Sequence, residues 1–530
     1  MLPNPGTPLD SLPGLVGCAI SLGAEKVGPL SPAERRLARE PIEPATVRTL
    51  RTRILSGQDP LGEAFCALRP AEVRRASGAV YTPDAIVAAI TGWAAQGPAP
   101  DRIVDPGCGS GRFAVAGGRR FEQAQIVAVE LDPLAAILAR ANLATWGFAD
   151  RARVNLGDYR SYVPPPIDGR TLYLGNPPYV RHHEIGAEWK QWLTDTARAK
   201  GHSASQLAGL HVHFFLATVA HASAGDRGAL ITSSEWLDVN YGALMRGLIL
   251  DGLGGTAVHV ISPQAEPFQD VQVTGAITCF EIGSRPTSVR LRLVKSVAEL
   301  GKLGGGKPVS RARLAQAGRW TPLLKPARRA PAGHIELGDL FRVHRGAATG
   351  ANRVWVLDAD QTELPSRFLH PAVTRARELF MAGPSLMSAD GLRAVVDLPA
   401  DLDLLDRAER KVVDRFLRNA RRSSAHSGYI ARHRRPWWSV GLRECAPILA
   451  TYMARRPPAI VRNLAGARHL NIAHGLYPRQ PLSEHALEVV VEALRGSIQV
   501  GHGRTYAGGL TKFEPKEMER LMIPDVTLAA

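Results

Sequence analysis

Ile103-Val104-Asp105-Pro106-Gly107-Cys108-Gly109-Ser110-Gly111-Arg112 is the stretch on which the fold turns. Apolar β-prone residues end at an acid, three glycines alternate with small residues, and an apolar helical pattern follows. Strand, Gly-rich turn and helix in that order make the phosphate or cofactor loop of a doubly wound α/β domain, because glycine lets backbone approach a ligand closely. The next apolar run, Ile126-Val127-Ala128-Val129, ends at Glu130. That acid lies about 20 residues on, the interval at which a carboxylate meets the two hydroxyls of a ribose. A third strand near Val154 to Leu156 is followed by Asp158. Asp105, Glu130 and Asp158 therefore line one edge of a sheet, at the strand ends where open α/β sheets bind ligands.

Downstream, apolar helices at 210–223 and 241–250 alternate with strands at 229–232 and 257–261, and a last strand runs over 273–282. Alternation of this kind extends the same sheet. No helix separates the final two strands, so they are expected to pair as an antiparallel hairpin. The expected fold class is thus α/β, a doubly wound Rossmann-like sheet with an antiparallel last strand, followed by a mixed α+β C-terminal domain. His211 and His213 have no visible third partner and are read as partly buried helix residues; no metal site is expected.

Gly175-Asn176-Pro177-Pro178-Tyr179 comes straight off the apolar strand Thr171 to Leu174. Two prolines fix φ and remove two N–H donors, leaving a stiff loop that presents the Asn176 side-chain oxygen and the Pro177 carbonyl as acceptors. Tyr179 adds an aromatic face. Acceptors for an amino group beside a stacking platform suit a planar base with an exocyclic NH2. A Pro-rich turn with a capping Asn and a half-buried Tyr is the bland alternative. Further upstream, Thr82 is placed at a helix N-cap with Pro83 at the first helical position, where a hydroxyl also suits a carboxylate.

The chain of 530 residues carries a net charge of +16. Residues 1–285 are close to neutral and the excess lies from 286 onward. Segregated basicity points to a polyanion, with nucleic acid ahead of an acidic membrane. Five scattered cysteines without a Cys-x-x-Cys pair argue against disulfides or zinc. No apolar stretch long enough to span a bilayer and no signal peptide is seen, so a cytoplasmic location is expected. Four regions follow: a helical lead-in at 1–76 whose first 30 residues are loosely ordered, a catalytic domain at 77–285, a basic connector at 286–332 and a recognition domain at 333–530. The connector's first 45 residues hold about eleven Lys and Arg against one acid; this is a solvated linker, which the glycines at 304 to 306 favour, or a basic linker beside a cleft that tracks a phosphate backbone. In the last region, Arg432, Arg434 and Arg435 interleave with Trp437 and Trp438. Such a stretch holds phosphates with Arg and stacks with Trp; a small Trp core fringed by Arg fits the tryptophans equally well.

Taken together, Tyr81-Thr82-Pro83, Asp105 to Gly111, Val129-Glu130-Leu131-Asp132, Asp158 and Asn176 to Tyr179, followed by a C-terminal domain, resemble the γ class (TaqI-like) of N6-adenine DNA methyltransferases of type II restriction-modification systems. The resemblance covers residues 75–285 well and the C-terminal domain loosely, through Gly338 to Gly346 and Gly509 to Leu521. It implies S-adenosylmethionine across the strand ends. Thr82 would hold the methionine carboxylate, Asp105 with Gly107, Gly109 and Gly111 the cradle, Glu130 the ribose and Asp158 the cofactor's adenine amino group. Phe268, in Glu266-Pro267-Phe268-Gln269, would be the second aromatic on the base. The family more often has Pro-Ala-Cys where this chain has Pro106-Gly107-Cys108. The implied activity is methyl transfer to N6 of an adenine flipped out of double-stranded DNA, by a monomer, protecting the site from a separate endonuclease. An RNA or protein-glutamine methyltransferase sharing Asn-Pro-Pro-Tyr, or a DNA-binding relative without activity, are the competing readings.

Overall fold

A computed structural model of the chain describes residues 8–69, 81–262, 275–324, 332–454, 456–498, 503–506 and 510–526. It divides into two units, Met1–Ala327 and Arg328–Ala530.

The first unit begins with four helices, α1 (Leu12–Ser21), α2 (Pro32–Arg35), α3 (Pro44–Leu55) and α4 (Pro60–Leu68), and α5 (Asp84–Ala94) then leads into the sheet. Strands β1 (Arg102–Pro106), β2 (Gln125–Glu130) and β3 (Ala152–Leu156) are separated by α6 (Arg112–Arg120) and α7 (Pro133–Thr145); β4 (Thr171–Gly175) follows β3 with no helix between, and α8 (Ala187–Ala199) and α9 (Leu210–His221) both precede β5 (Arg227–Ser233). Helix α10 (Ala243–Leu250) precedes β6 (Gly255–Ile261), β7 (Gly275–Glu281), β8 (Ser288–Val294) and β9 (Lys307–Ser310). The sheet order is β3-β2-β1-β4-β5-β7-β6-β8-β9. Its first five strands are parallel, and β7 runs antiparallel to both β5 and β6. Strand side chains alternate between two cores: Val104, Tyr173 and Leu230 pack with Val212, Phe215 and Met245, whereas Ile103, Leu172 and Ile231 pack with Ile86 and Phe113. The result is a mixed α/β sheet with a mostly parallel core and antiparallel pairs toward one edge.

Three expectations are corrected. The hairpin partner β7 does not end the sheet, because β8 pairs with β6 and β9 with β8, so 288–310 belongs to the sheet and not to a free connector. Within β8, Val289 and Leu291 are buried while Arg290 is exposed, the period-two pattern of a strand with one covered face. The N-terminal segment is likewise ordered from residue 8 on. Helix α1 buries Leu15, Cys18 and Ala19 against Ile137, Leu138 and Ala141 of α7. Its glycines serve contact and not looseness, since a Cβ on Gly17 would lie 2.1 Å from the Glu40 carbonyl oxygen. A buried ion pair fastens the same segment: Arg140 Nε donates to Glu34 Oε1 at 2.7 Å, with 4% and 0% of the two side chains exposed. Finally, Pro83 and not Thr82 occupies the N-cap of α5, and Asp84 is its first residue.

The second unit holds a five-stranded sheet built on Phe341–Arg345, Ala473–Pro478 and Ile448–Thr451, covered by the helix Glu484–Ser497. A four-stranded sheet around Arg393–Val396 packs on the helix Arg407–Arg422. That helix starts at 407 because Asp406 caps it, accepting from the Ala408 and Glu409 amides.

Candidate active site

The ends of β1, β2, β3 and β4 open onto a cavity of about 810 Å³ lined by Gly107, Gly109, Glu130, Asp158, Asn176 and Thr82. The loop after β1 adopts φ of +69° at Gly107, +57° at Gly109 and +85° at Gly111, a region that residues with a Cβ avoid. It is stitched to β2 by the Gly107 and Cys108 amides, which donate to the Val129 carbonyl at 2.9 and 3.1 Å. Asp105 lies beneath the loop, fully buried, and its Oδ2 accepts from the Ala114 amide at 2.9 Å, anchoring the start of α6. Burial pushes its carboxyl up to about 8, against the pull of that amide.

Glu130 accepts from the Gly109 amide at 2.8 Å through Oε2, and from the Leu131 and Asp132 amides at 2.8 and 3.0 Å through Oε1. A carboxylate has about four acceptor sites, so one is committed to the loop after β1, two to the turn after β2, and one remains. Asp158 is paired as well. The Arg160 guanidinium donates to it from Nε at 2.9 Å and from its second terminal nitrogen at 2.5 Å, and lies 3.7 Å over the Trp189 ring. Arg160 and Trp189 both line the cavity, and neither was singled out from the sequence. Asp-x-Arg just past a strand was the available signal for the first; the second sits on a helix whose partner is set only by packing.

At the end of β4, the Asn176 amide nitrogen donates to the Thr82 hydroxyl at 3.0 Å. This bond orients the amide, with nitrogen toward Thr82 and oxygen away from it. Pro178 packs on the Gly-rich loop: a Cβ at Gly107 would sit 3.2 Å from the Pro178 ring and 3.3 Å from Phe214. Asn176, Pro178 and Val180 line the cavity, whereas Pro177 and Tyr179 do not. The Tyr179 hydroxyl is buried, which pushes its ionisation far above the ordinary phenol range. Phe268 lies outside the described residues.

His211 and His213 are core residues of α9, pushed down to about 4 and about 3 by burial and hence neutral; His213 stacks on Trp192 at 5.9 Å. Among the described residues no group of His, Cys, Asp and Glu is arranged to hold a metal ion. S-adenosylmethionine fits the donor set: the glycines leave room for close approach, Glu130 and Asp158 keep acceptor sites for hydroxyl and amino groups, and Tyr81, Trp189 and Phe214 supply apolar faces.

In the second unit, Arg432 and Arg435 are exposed; one terminal nitrogen of Arg435 donates to the neighbouring Arg432 and Arg434 carbonyls at 3.2 and 3.1 Å. Arg434 differs from its expected role: it is half-buried and donates to the Ala348 and Thr349 carbonyls, so its guanidinium is spent on loop 347–350. Trp437 is corrected too. It is half-buried and packs edge-on against Trp355 and Trp438 at 6.0 and 5.9 Å, at the margin of the core under the helix Arg407–Arg422, the packing role that the sequence equally allowed.

Two family models match the chain. N-6 DNA Methylase covers residues 59–247, and the C-terminal domain of type II methyltransferase M.Eco57I covers 325–530. Among curated proteins, the chain is 50% identical over 509 residues to type II methyltransferase M.XamI of Xanthomonas campestris pv. amaranthicola, spanning 94% of this chain and 95% of that one. It is 22% identical over 482 residues to type II methyltransferase M.AccI of Acinetobacter calcoaceticus, spanning 86% and 87%. Among solved structures, the type IIL restriction-modification enzyme MmeI in complex with DNA superposes with a TM-score of 0.52 at 14% identity, over 82% of this chain and 67% of that one, a likeness of fold. The chain belongs to the type II DNA methyltransferases, and is a site-specific, S-adenosylmethionine-dependent adenine methyltransferase of a restriction-modification system.

Proposed function

We propose that the chain is of the γ class, that its sheet is the doubly wound cofactor-binding sheet of that class, and that it methylates N6 of an adenine flipped out of double-stranded DNA. The observation that carries this reading is the Asn176 amide, oriented by Thr82 on the wall of the cavity that Glu130 and Asp158 line. When bound, S-adenosylmethionine supplies an electrophilic methyl group on a sulfonium. Asp105 with Gly107, Gly109 and Gly111 shapes its cradle, Glu130 takes the ribose, Asp158 the adenine amino group, and Thr82 the carboxylate through its hydroxyl proton.

The target N6 is a weak nucleophile because its lone pair is delocalised into the ring. The Asn176 oxygen and the Pro177 carbonyl accept from its two hydrogens, which draws the nitrogen toward tetrahedral geometry and frees the lone pair. Tyr179, with Phe268, stacks on the base. Such stacking is worth about 1–3 kcal/mol, enough to offset much of the few kcal/mol that extrusion from the duplex costs. Arg432 and Arg435 contact phosphates of the target duplex. The enzyme acts as a monomer, beside a separate endonuclease for the same site.

Transfer of labelled methyl from S-adenosylmethionine to unmethylated genomic DNA, followed by digestion to nucleosides, tests the reading. Label is expected in N6-methyladenine. It should vanish with Asn176→Ala while cofactor binding stays within a few-fold of wild type. Retained turnover in Asn176→Ala would remove Asn176 from the chemistry.

A further inference from the structure

The four helices before residue 70 have no part in the chemistry above, yet one of their acids reaches the cofactor loop. Asp59 is the N-cap of α4, and its Oδ1 accepts from the Gly62 amide at 2.9 Å. Capping needs no more than that, and Ser serves as well as Asp. The carboxylate does more. Its Oδ2 accepts from the Ser110 hydroxyl at 2.5 Å, and its Oδ1 also accepts from the Asn142 amide nitrogen at 3.1 Å. Asn142 in turn donates to the Ser110 carbonyl at 2.9 Å. Asp59, Ser110 and Asn142 are all buried, where a carboxylate persists only if donors converge on it.

Position 62 shows how closely the parts fit. Its backbone is not left-handed, but a Cβ there would lie 2.2 Å from Asp59 Oδ2 and 2.6 Å from Ser110 Oγ. Only a residue without a side chain lets this contact form. Further along α4, Phe65, Cys66 and Arg69 line the cofactor cavity, together with Leu12 and Leu37. Arg69 lies 4.4 Å over the Phe65 ring and forms an ion pair with Asp132, two residues past Glu130. The segment is thus fastened on both sides of the cradle, at Ser110 and at Asp132.

We propose that residues 8–69 form the outer wall of the cofactor cavity, and that Asp59 is a positioning residue that holds the Gly-rich loop through Ser110. The coupling runs through one peptide: Ser110 follows Gly109, whose amide donates to Glu130. Release of Ser110 lets that amide drift and loosens the carboxylate that meets the ribose. The inference rests on the reading of the cavity as the S-adenosylmethionine site.

The test is titration of the full-length chain with S-adenosylmethionine, for wild type, Asp59→Ser, Ser110→Ala and the double variant. Serine keeps the helix cap but is too short to reach Ser110. The dissociation constant is expected to rise about tenfold in each single variant, the scale of one charge-assisted hydrogen bond, and no further in the double variant, because both remove the same contact. In Asp59→Ser, turnover at saturating cofactor and affinity for DNA should stay near wild type, a split that general destabilisation would not produce. A wild type that does not bind S-adenosylmethionine overturns the cavity assignment and this inference with it. A wild type that binds, with unchanged affinity in folded Asp59→Ser or Ser110→Ala, overturns the inference alone. A second measurement needs no variant: alkylation of Cys66, followed by peptide mass, should slow when S-adenosylmethionine is added, and an unchanged rate removes the wall.

Discussion

Thr82→Val separates two roles that one hydroxyl can hold. The Thr82 oxygen accepts from Asn176 at 3.0 Å and its proton stays available to donate. The side chain is buried at 5% exposure, so near-isosteric valine removes the oxygen while filling the same space. A neutral hydrogen bond contributes about 1 kcal/mol net, and loss of that much from the orientation of the Asn176 amide is about a fivefold fall in rate. We expect single-turnover transfer at saturating S-adenosylmethionine to fall by about that factor, with the melting temperature little changed. If the proton also meets the methionine carboxylate, the cofactor dissociation constant rises in the same variant. Thr82→Ser should recover both. Rapid-quench measurement of labelled methyl in DNA, beside a cofactor titration, gives the two constants separately. A weakened cofactor with an unchanged saturated rate would refute the positioning of Asn176 by Thr82 and leave only the carboxylate role.

The C-terminal arginines and the buried acid of β1 make further predictions. Arg435→Ala should reduce the slope of log K against log salt for DNA by about 0.9, the value of one phosphate contact. Arg434→Ala should leave that slope unchanged and instead lower the stability of the second unit, because it frees the Ala348 and Thr349 carbonyls. Equal slope changes in the two variants would contradict this division. Asp105 titrates at about 8 in the folded chain, above the value of about 3.9 for an unfolded carboxyl. The folded state therefore holds the proton more tightly, and ionising the buried group costs stability. That cost is absent below pH 4, grows through pH 4–8 and is complete above 8, at up to about 1.4 kcal/mol per pH unit. Asp105→Asn, which can still accept from Ala114, should remove this contribution; denaturant melts whose pH dependence matches wild type would contradict it.

Much of the site was legible along the chain because its determinants are local. A β-prone run that stops at an acid, glycines at alternate positions and a Pro-Pro loop dictate backbone shape wherever they occur. Asp105, Glu130, Asp158 and Asn176 accordingly fall at successive strand ends in the structure. Where the reading went astray, one composition had two physical causes. The first 30 residues, rich in Gly and Pro, read as loose, but glycine at 14 and 17 admits another backbone at contact distance. Arginine at 290 and 292 suggested a linker, although the alternating Val289, Leu291 and Leu293 between and beside them already carried the period of a strand. Trp437 and Arg434 looked alike as nucleic-acid contacts, and only packing separates a half-buried tryptophan set edge-on against Trp355 and an arginine bound to the distant loop 347–350 from the exposed Arg435.

The sequence by itself determined the sheet's strand ends, the cofactor loop and the order of motifs, since periodicity and turn chemistry act over a few residues. Tertiary structure alone decided which distant groups meet: Ser110 with Asp59, 51 residues away, Arg140 with Glu34, 106 away, and Asn176 with Thr82, 94 away. Such pairs form only because burial leaves each polar group to find its partner wherever the packed helices and strands bring one.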